Sequence, residues 1–106
     1  MIIVDGEKDA VVAEIKSLTK AAHEDGKKVA VIATEETKAL YDAEVVLSVG
    51  TREEEDSIAK HMYKILRDCD TLDVEVIYSE SFKTPRIGQA IMNRLLKAAG
   101  HQVIHV

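Results

Sequence analysis

The stretch Ile87-Gly-Gln-Ala-Ile-Met-Asn-Arg-Leu-Leu-Lys-Ala-Ala-Gly100 is the most informative segment of this 106-residue chain. Four of its apolar residues recur every three or four positions, namely Ile87, Ile91, Leu95 and Ala98. This spacing places them on one stripe of an α-helix. Gly100 follows this segment, as Gly26 follows the first amphipathic segment, where a helix commonly ends in a left-handed residue. The stretch therefore predicts an amphipathic helix that packs on a core, and nothing in it resembles a catalytic motif.

Short apolar runs and amphipathic segments alternate along the whole chain. The five runs are residues 2–4, 29–33, 45–49, 74–78 and 103–106. Apolar runs without polar alternation are typical of strands that are buried on both faces. Strands that alternate with helices indicate right-handed crossovers and a parallel sheet. We therefore predict one α/β domain over residues 1–106, a Rossmann-like three-layer α/β/α sandwich with a five-stranded parallel sheet.

The order of the strands is less constrained than their number. Glu75 and Gln102 interrupt the last two apolar runs, which indicates that the fourth and fifth strands lie toward an edge of the sheet. The predicted order is 3-2-1-4-5 or 2-1-3-4-5. The fully apolar second run favours the first of these orders.

Capping residues predict where two of the helices begin. Thr51 with Glu54 three residues later forms a capping-box pattern. Thr84 followed by Pro85 places a capping residue before a proline at the first helical position. The segment 34–41 is the shortest of the four amphipathic segments and predicts a short second helix.

Composition excludes several classes of protein. A hydrophobic content of 46% with 31% charged residues is typical of a folded chain. No apolar run approaches the roughly 18 residues that cross a bilayer. The net charge of −5 repels phosphate backbones and anionic lipid, so neither direct nucleic-acid binding nor membrane binding is expected. Cys69 is the single cysteine, which favours a reducing, cytoplasmic location.

Carboxylates occupy most helix starts, where a nucleotide phosphate would otherwise bind. The acids that precede or open the first three helices are Glu7, Asp9, Glu35, Glu36, Glu53, Glu54, Glu55 and Asp56. They interact favourably with the helix dipole and repel an incoming phosphate. No G-x-G-x-x-G or P-loop pattern occurs.

His101 and His105 lack further ligands at metal-binding spacing. The sequence thus predicts no catalytic residue, no metal site and no cofactor.

The loop before the last helix, Ser79-Glu-Ser-Phe-Lys-Thr-Pro-Arg86, is the exception to this acidic pattern. It holds two cations, several hydroxyls and an aromatic side chain. Two interpretations stay open: a solvated loop with a helix cap, or a contact for a partner or an anion. On the second interpretation Phe82 is an anchor outside the core. The contact residues would be Ser79, Ser81, Phe82, Lys83, Thr84 and Arg86.

Several segments carry a family resemblance, in order and over essentially the whole chain. They are residues 26–37, residues 45–52 with the helix 58–66, residues 72–78 and, most specifically, residues 88–99. These segments resemble the C-terminal domain of the long, two-domain form of L-threonylcarbamoyladenylate synthase.

The resemblance implies a function for the chain. In that family an N-terminal YrdC-type domain combines ATP, L-threonine and bicarbonate into threonylcarbamoyl-AMP and pyrophosphate, for a modified adenosine beside the tRNA anticodon. The C-terminal domain is a Rossmann-like accessory module, joined by a linker that closes over the active site. The resemblance therefore implies a non-catalytic domain that docks on a YrdC-type catalytic domain and its linker, in cis or in trans, and gates the active site. No catalytic residue is carried over.

Two departures from the family keep other functions open. Arg86 stands where a glycine is common before Ile87, and the loop 79–86 is more basic and richer in serine than in many relatives. Met1 lies almost at the first strand, which is the pattern of an isolated domain or of a free-standing copy. The alternative function is an independent small-ligand or anion sensor that uses loop 79–86. A generic protein-interaction module is a third.

Overall fold

The computed structural model describes residues 1–82, 84 and 86–106. The strands are β1 Ile2–Asp5, β2 Val29–Ala33, β3 Val45–Ser48, β4 Val76–Glu80 and β5 Val103–His105. The helices are α1 Lys8–Glu24, α2 Glu55–Asp68 and α3 Gly88–Ala98, with short 3-10 helices at Lys38–Leu40 and Cys69–Thr71. The five strands form one parallel sheet, as the alternation of apolar runs and amphipathic segments predicts.

The strand order is β3-β2-β4-β1-β5, so both predicted orders are wrong. β4 lies between β2 and β1, with Val76 opposite Val29 and Tyr78 opposite Ile2. Glu75 does not mark an edge strand, because it precedes β4 and its carboxylate accepts a hydrogen bond from the Lys28 backbone N–H. A polar residue at the end of a strand therefore says little about the strand's place in the sheet. β5 does lie at an edge, as predicted.

The helices form two layers, one on each side of the sheet. From β1 the chain crosses toward β3 with α1 on one face, and it returns from β3 to β5 with α2 and α3 on the other. Right-handed crossovers require this change of face when the direction across the sheet reverses. The result is the three-layer arrangement that the sequence predicts.

Each face of the sheet has its own apolar core. On the α1 face, Ile15 and Val31 are completely buried. On the other face, Met62 and Leu95 are completely buried between the helices and the sheet. Burying a side chain of this size stabilises the fold by roughly 1.5–3 kcal/mol. The predicted apolar stripes are therefore confirmed at these positions, although Ala99 rather than Ala98 continues the buried stripe of α3.

The start of α2 and the second helix differ from the predictions. α2 begins at Glu55, and its N-cap residue Glu54 makes no side-chain capping hydrogen bond. Thr51 instead lies in the preceding loop, with its hydroxyl 3.5 Å from a Glu54 carboxylate oxygen. The predicted second helix within residues 34–41 is only the 3-10 helix Lys38–Leu40, because the segment is too short for several helical turns.

The start of α3 also differs, whereas the helix ends agree with the predictions. α3 begins at Gly88 with Ile87 as its N-cap residue, so Thr84 is not the capping residue. Pro85 lies outside the described residues. Gly26 and Gly100 follow α1 and α3 with φ values of +75° and +61°, which confirms that both helices end in a left-handed residue.

Candidate functional site at the carboxyl edge of the sheet

A crevice lies where the carboxyl ends of β1 and β4 meet. α1 leaves β1 on one face of the sheet and α3 follows β4 on the other, so the chain diverges beyond these two strands. Open α/β sheets bind ligands at such a switch point. The crevice has a volume of about 520 Å³ and is lined chiefly by residues 5–8, Arg52, Glu80, Ser81 and His105.

Glu80 is the buried charged group of this edge, with only 1% of its surface exposed. Its Oε2 accepts a hydrogen bond of 2.6 Å from the Thr37 hydroxyl and another from the Tyr41 hydroxyl. Its Oε1 lies 2.9 Å from Nη2 of Arg52. A buried carboxylate is tolerated when its charge is balanced and its oxygens are hydrogen-bonded, and Glu80 meets both conditions.

Tyr41 and Arg52 complete the network around this carboxylate. Burial and the neighbouring Glu80 carboxylate raise the pKa of the Tyr41 phenol well above its ordinary value, so the hydroxyl remains a donor. Arg52 also donates from Nη1 to the Ser81 carbonyl oxygen at 3.0 Å. Its guanidinium carbon lies 5.3 Å from the centroid of the Phe82 ring. The Arg52 charge is thus already engaged by the protein itself.

The opposite wall of the crevice is acidic. Nδ1 of His105 lies 3.6 Å from the Asp5 carboxylate. Gly6 adopts φ +150°, and a Cβ there would collide with the backbone oxygen of Val106. Glu7 opens α1 without a side-chain cap. The carboxylates of Asp5 and Glu7 outnumber the Lys8 cation on this wall, and Arg52 is paired with Glu80, so the crevice offers little net attraction to a phosphate.

The first turn of α2 provides a carboxylate to the start of α3. Oε1 of Glu55 accepts hydrogen bonds from the backbone N–H groups of Arg86 at 2.7 Å and Ile87 at 3.4 Å. Oε2 lies 2.9 Å from Nε of Arg86. The neighbouring Thr84 hydroxyl and hydrogen bonds from Arg86 lower the pKa of Glu55 to about 2. The donors that precede α3 are therefore occupied by a residue of the same chain.

The predicted contact loop 79–86 is only partly exposed. Ser79 is completely buried, with its hydroxyl donating to the Glu80 carbonyl oxygen at 2.9 Å, and Ser81 is 8% exposed. Phe82 is also completely buried in the core beneath α3. This corrects the expectation that Phe82 lies outside the core, because an aromatic ring after a buried strand fills the space between strand and helix. Truncating Phe82 would thus alter the core.

The rest of the loop surrounds the start of α3. Thr84 is partly buried, and the Arg86 side chain is 67% exposed but lies 2.9 Å from Glu55 and 3.3 Å from Asp56. Lys83 lies outside the described residues. The structure therefore brings Ser81 to the crevice and Arg86 to α2, and it does not gather the five described residues of the prediction into one exposed patch. Their contact with a partner or an anion stays a prediction.

Sequence reasoning did not select the network of Glu80, Arg52 and Tyr41. Its members come from one strand and two loops, so no local motif contains them. One signal was nonetheless present: Glu80 follows the run 76–78 directly after Ser79, which places a carboxylate at the end of a buried strand. Such a residue needs a partner from a neighbouring segment.

The comparison with known proteins agrees with this fold. Residues 1–100 match the family model described as threonylcarbamoyl-AMP synthase, C-terminal domain. The chain belongs to this family. As a threonylcarbamoyl-AMP synthase C-terminal domain, it is 40% identical over 106 residues to the synthase of Pyrococcus abyssi (strain GE5 / Orsay). It is 41% identical over 90 residues to the synthase of Bacillus subtilis (strain 168).

Two solved structures of the family also resemble this chain. The crystal structure of P. abyssi Sua5 complexed with L-threonine matches 99% of this chain and 29% of its own, with a TM-score of 0.86 and 38% identity. The C-terminal Sua5 domain from Pyrococcus horikoshii matches 99% of this chain and 94% of its own, with a TM-score of 0.75 and 32% identity. The family resemblance of the sequence is thereby confirmed.

This C-terminal domain spans a minor part of its curated relatives. It covers 29% of the length of the P. abyssi synthase and 26% of the B. subtilis synthase. The larger part of each relative therefore lies outside the region of similarity. No helix among the described residues of the domain is long and apolar enough to span a membrane.

Proposed function

We propose that this domain is a non-catalytic accessory domain of threonylcarbamoyl-AMP synthesis for tRNA modification, which docks on a YrdC-type catalytic domain and gates its active site. The observation that carries the proposal is the family match over residues 1–100 together with the 29% share of the P. abyssi synthase that the chain covers. On this proposal, the remaining length of such a synthase supplies the chemistry and the linker. The protein then works in the cytoplasm and has no direct contact with nucleic acid.

The carboxyl edge supports an accessory role over a catalytic one. The donors before α3 are held by Glu55, and Arg52 is held by Glu80. Preorganised donors without a partner are what an enzyme offers to a phosphate or to a developing negative charge. Because these groups already have partners within the chain, we assign the reaction to the catalytic domain.

Gating has a physical basis in the chemistry of the product. A carbamoyl-adenylate is readily hydrolysed, and a closed active site excludes water from it. A domain that docks beside the active site can stabilise the closed form by binding that form more tightly than the open one. We propose loop 79–86 as a part of the docking surface, since the Arg86 side chain is 67% exposed next to the first turn of α2.

The small-ligand sensor remains the second candidate. The observation that favours it is the crevice of about 520 Å³ at the switch point, which Ser81 of loop 79–86 lines. A sensor would bind its ligand in the absence of a catalytic domain. A docking domain would show its effect only when the catalytic domain is present.

Pyrophosphate release from ATP, L-threonine and bicarbonate tests the proposal. We expect the purified chain alone to release no more pyrophosphate than a buffer control. Added to a separately expressed catalytic domain with its linker, the chain should change the rate in a saturable way. Lys83→Glu should reduce this effect, whereas Lys16→Glu on the exposed side of α1 should not. Turnover by the chain alone, or no change in rate at saturating chain, would contradict the proposal.

A further inference from the structure

The outer face of α2 and α3 is positively charged in an otherwise acidic chain. Residues 57–67 and 87–101 contain none of the 19 Asp and Glu residues of the protein. They contain five of its 14 Lys and Arg residues, and all five are exposed: Lys60, Lys64, Arg67, Arg94 and Lys97. Their spacing of three or four residues places the cations of each helix on one outer stripe, which in α2 also carries Asp56 and Asp68 at its two ends. We call these five residues the cationic face.

Among the described residues, these cations have no carboxylate partner. Other cations do, since Lys38, Arg52 and Arg86 each form an ion pair. Within the described part of the chain, no Asp or Glu oxygen lies within 4.0 Å of any cation of the cationic face. An unbalanced cluster of this kind attracts negatively charged partners and is free to pair with them.

An exposed aromatic residue lies in the middle of the cationic face. Tyr63 on α2 is 57% exposed, the highest fraction among the large hydrophobic residues that the structure describes. The guanidinium carbons of Arg94 and Arg67 lie 4.9 and 5.9 Å from the centroid of its ring. These contacts hold an aromatic side chain and two guanidinium groups together on the surface. Tyr and Arg are enriched among the residues that dominate protein–protein binding energies.

An apolar groove runs beside Tyr63 between α2 and α3. It has a volume of about 430 Å³. Its floor is formed by Ala59, Met62, Ile87 and Ile91, and its rim by Lys60, Tyr63, Ala90 and Arg94. An apolar floor with a cationic rim is complementary to a segment that presents apolar side chains on one face and carboxylates beside them.

We propose that the cationic face and its groove form a docking surface for an acidic amphipathic segment of a partner protein. Nucleic acid fits less well, because phosphates would pair with the rim and leave the apolar floor uncovered, while the remainder of the chain repels them. A symmetric pairing of two copies fits less well too, since it would bring identical cations together. The proposal does not depend on docking to a catalytic domain.

Fluorescence anisotropy with the full chain and labelled synthetic probes tests the proposal. The first probe is a helical peptide with leucines on one face and glutamates flanking them, and the second has the same composition in scrambled order. We expect the patterned peptide to bind more tightly than the scrambled one, and added salt to weaken its binding. Arg94→Glu should weaken binding by roughly tenfold or more. Lys64→Glu should act in the same direction, and Tyr63→Ala should also weaken binding.

The control variant is Lys16→Glu, which makes the same charge change on α1, away from the cationic face. It should change the affinity by less than about twofold, because exposed charges more than a Debye length apart are screened. Circular dichroism verifies that each variant is folded.

Equal binding of both peptides would overturn the proposal, as would unchanged affinity in both the Arg94→Glu and Lys64→Glu variants. Tighter binding of a single-stranded RNA oligonucleotide would also overturn it. So would self-association through this face that excludes the peptide. Because no catalytic domain is present in the assay, these outcomes leave the proposed function untouched.

Discussion

A buried carboxylate must be balanced by its neighbours, and Glu80 obtains its partners from distant parts of the chain. Thr37 and Tyr41 precede it by 43 and 39 residues, and Arg52 by 28 residues. Thr37 and Tyr41 belong to the segment after β2, and Arg52 belongs to the segment after β3. Glu80 therefore holds the β2–β3 loop and the β3–α2 loop against the end of β4. A sequence pattern cannot reveal such a network, because its members share no local spacing.

Removal of the Glu80 carboxylate should be severely destabilising. Glu80→Ala removes the acceptor of the buried Thr37 and Tyr41 hydroxyls and the ion-pair partner of Arg52, and each buried polar group left unsatisfied costs roughly 1–3 kcal/mol. Equilibrium denaturation measures the change in the free energy of unfolding. Glu53→Ala, an exposed carboxylate before α2, serves as the control and should change it by no more than about 0.5 kcal/mol. Equal unfolding midpoints for the two variants would show that the network contributes little.

Glu55 should make the stability of the protein depend on acid pH. Its folded-state pKa of about 2 lies below the ordinary value of 4.5, so the unfolded chain binds the proton more readily. The resulting stabilisation is present above about pH 4.5 and is lost as the pH falls toward 2. Glu44 contributes to stability in the same pH range, because hydrogen bonds with the Val29 backbone N–H and with His23 lower its pKa to about 2 as well.

The measurement is denaturant unfolding at a series of pH values. We expect Glu55→Gln to remove part of the loss of stability between pH 4.5 and pH 2. Glu53→Gln changes the same charge on an exposed residue and should keep the full loss. A pH profile for Glu55→Gln that runs parallel to that of the unchanged protein would contradict the assigned hydrogen bonds.

At the scale of elements, periodicity predicted the identity of helices and strands better than their starts or their neighbours. The five strands and the three long helices follow from apolar runs and stripes that each lie within a few consecutive residues. The start of α3 does not, because the carboxylate that binds the two N–H groups just before it is Glu55 from another helix. The central place of β4 also depends on its pairing with β1 and β2. Such contacts are invisible in a local pattern.

The buried stripe of α3 is testable by truncation. Ile91 and Leu95 are 3% and 0% exposed, so Ile91→Ala or Leu95→Ala should lower the free energy of unfolding by roughly 2–5 kcal/mol. Asn93→Ala and Lys97→Ala, on the exposed side of the same helix, should change it by no more than about 0.5 kcal/mol. Chemical denaturation of the four variants would show a wrongly assigned face if the larger losses came from Asn93 and Lys97.

At the scale of the molecule, the crossovers separate two different surfaces. The carboxyl edge of the sheet collects Asp5, Glu7 and Glu80 around the crevice. The outer side of α2 and α3 collects cations around Tyr63. The acidic helix starts and the apolar strand runs were apparent in the sequence. The cationic face became apparent only once the fold placed α2 beside α3, since its residues belong to two separate segments of the chain.

The central claim is that this domain acts by docking on a catalytic domain. The most direct test is an isothermal titration of the chain into a separately expressed YrdC-type catalytic domain that retains its linker. The account predicts a saturable complex of one chain per catalytic domain, with an affinity that changes when ATP and L-threonine are present, because gating requires a difference in affinity between open and closed forms. Absence of binding, both with and without these substrates, would contradict it.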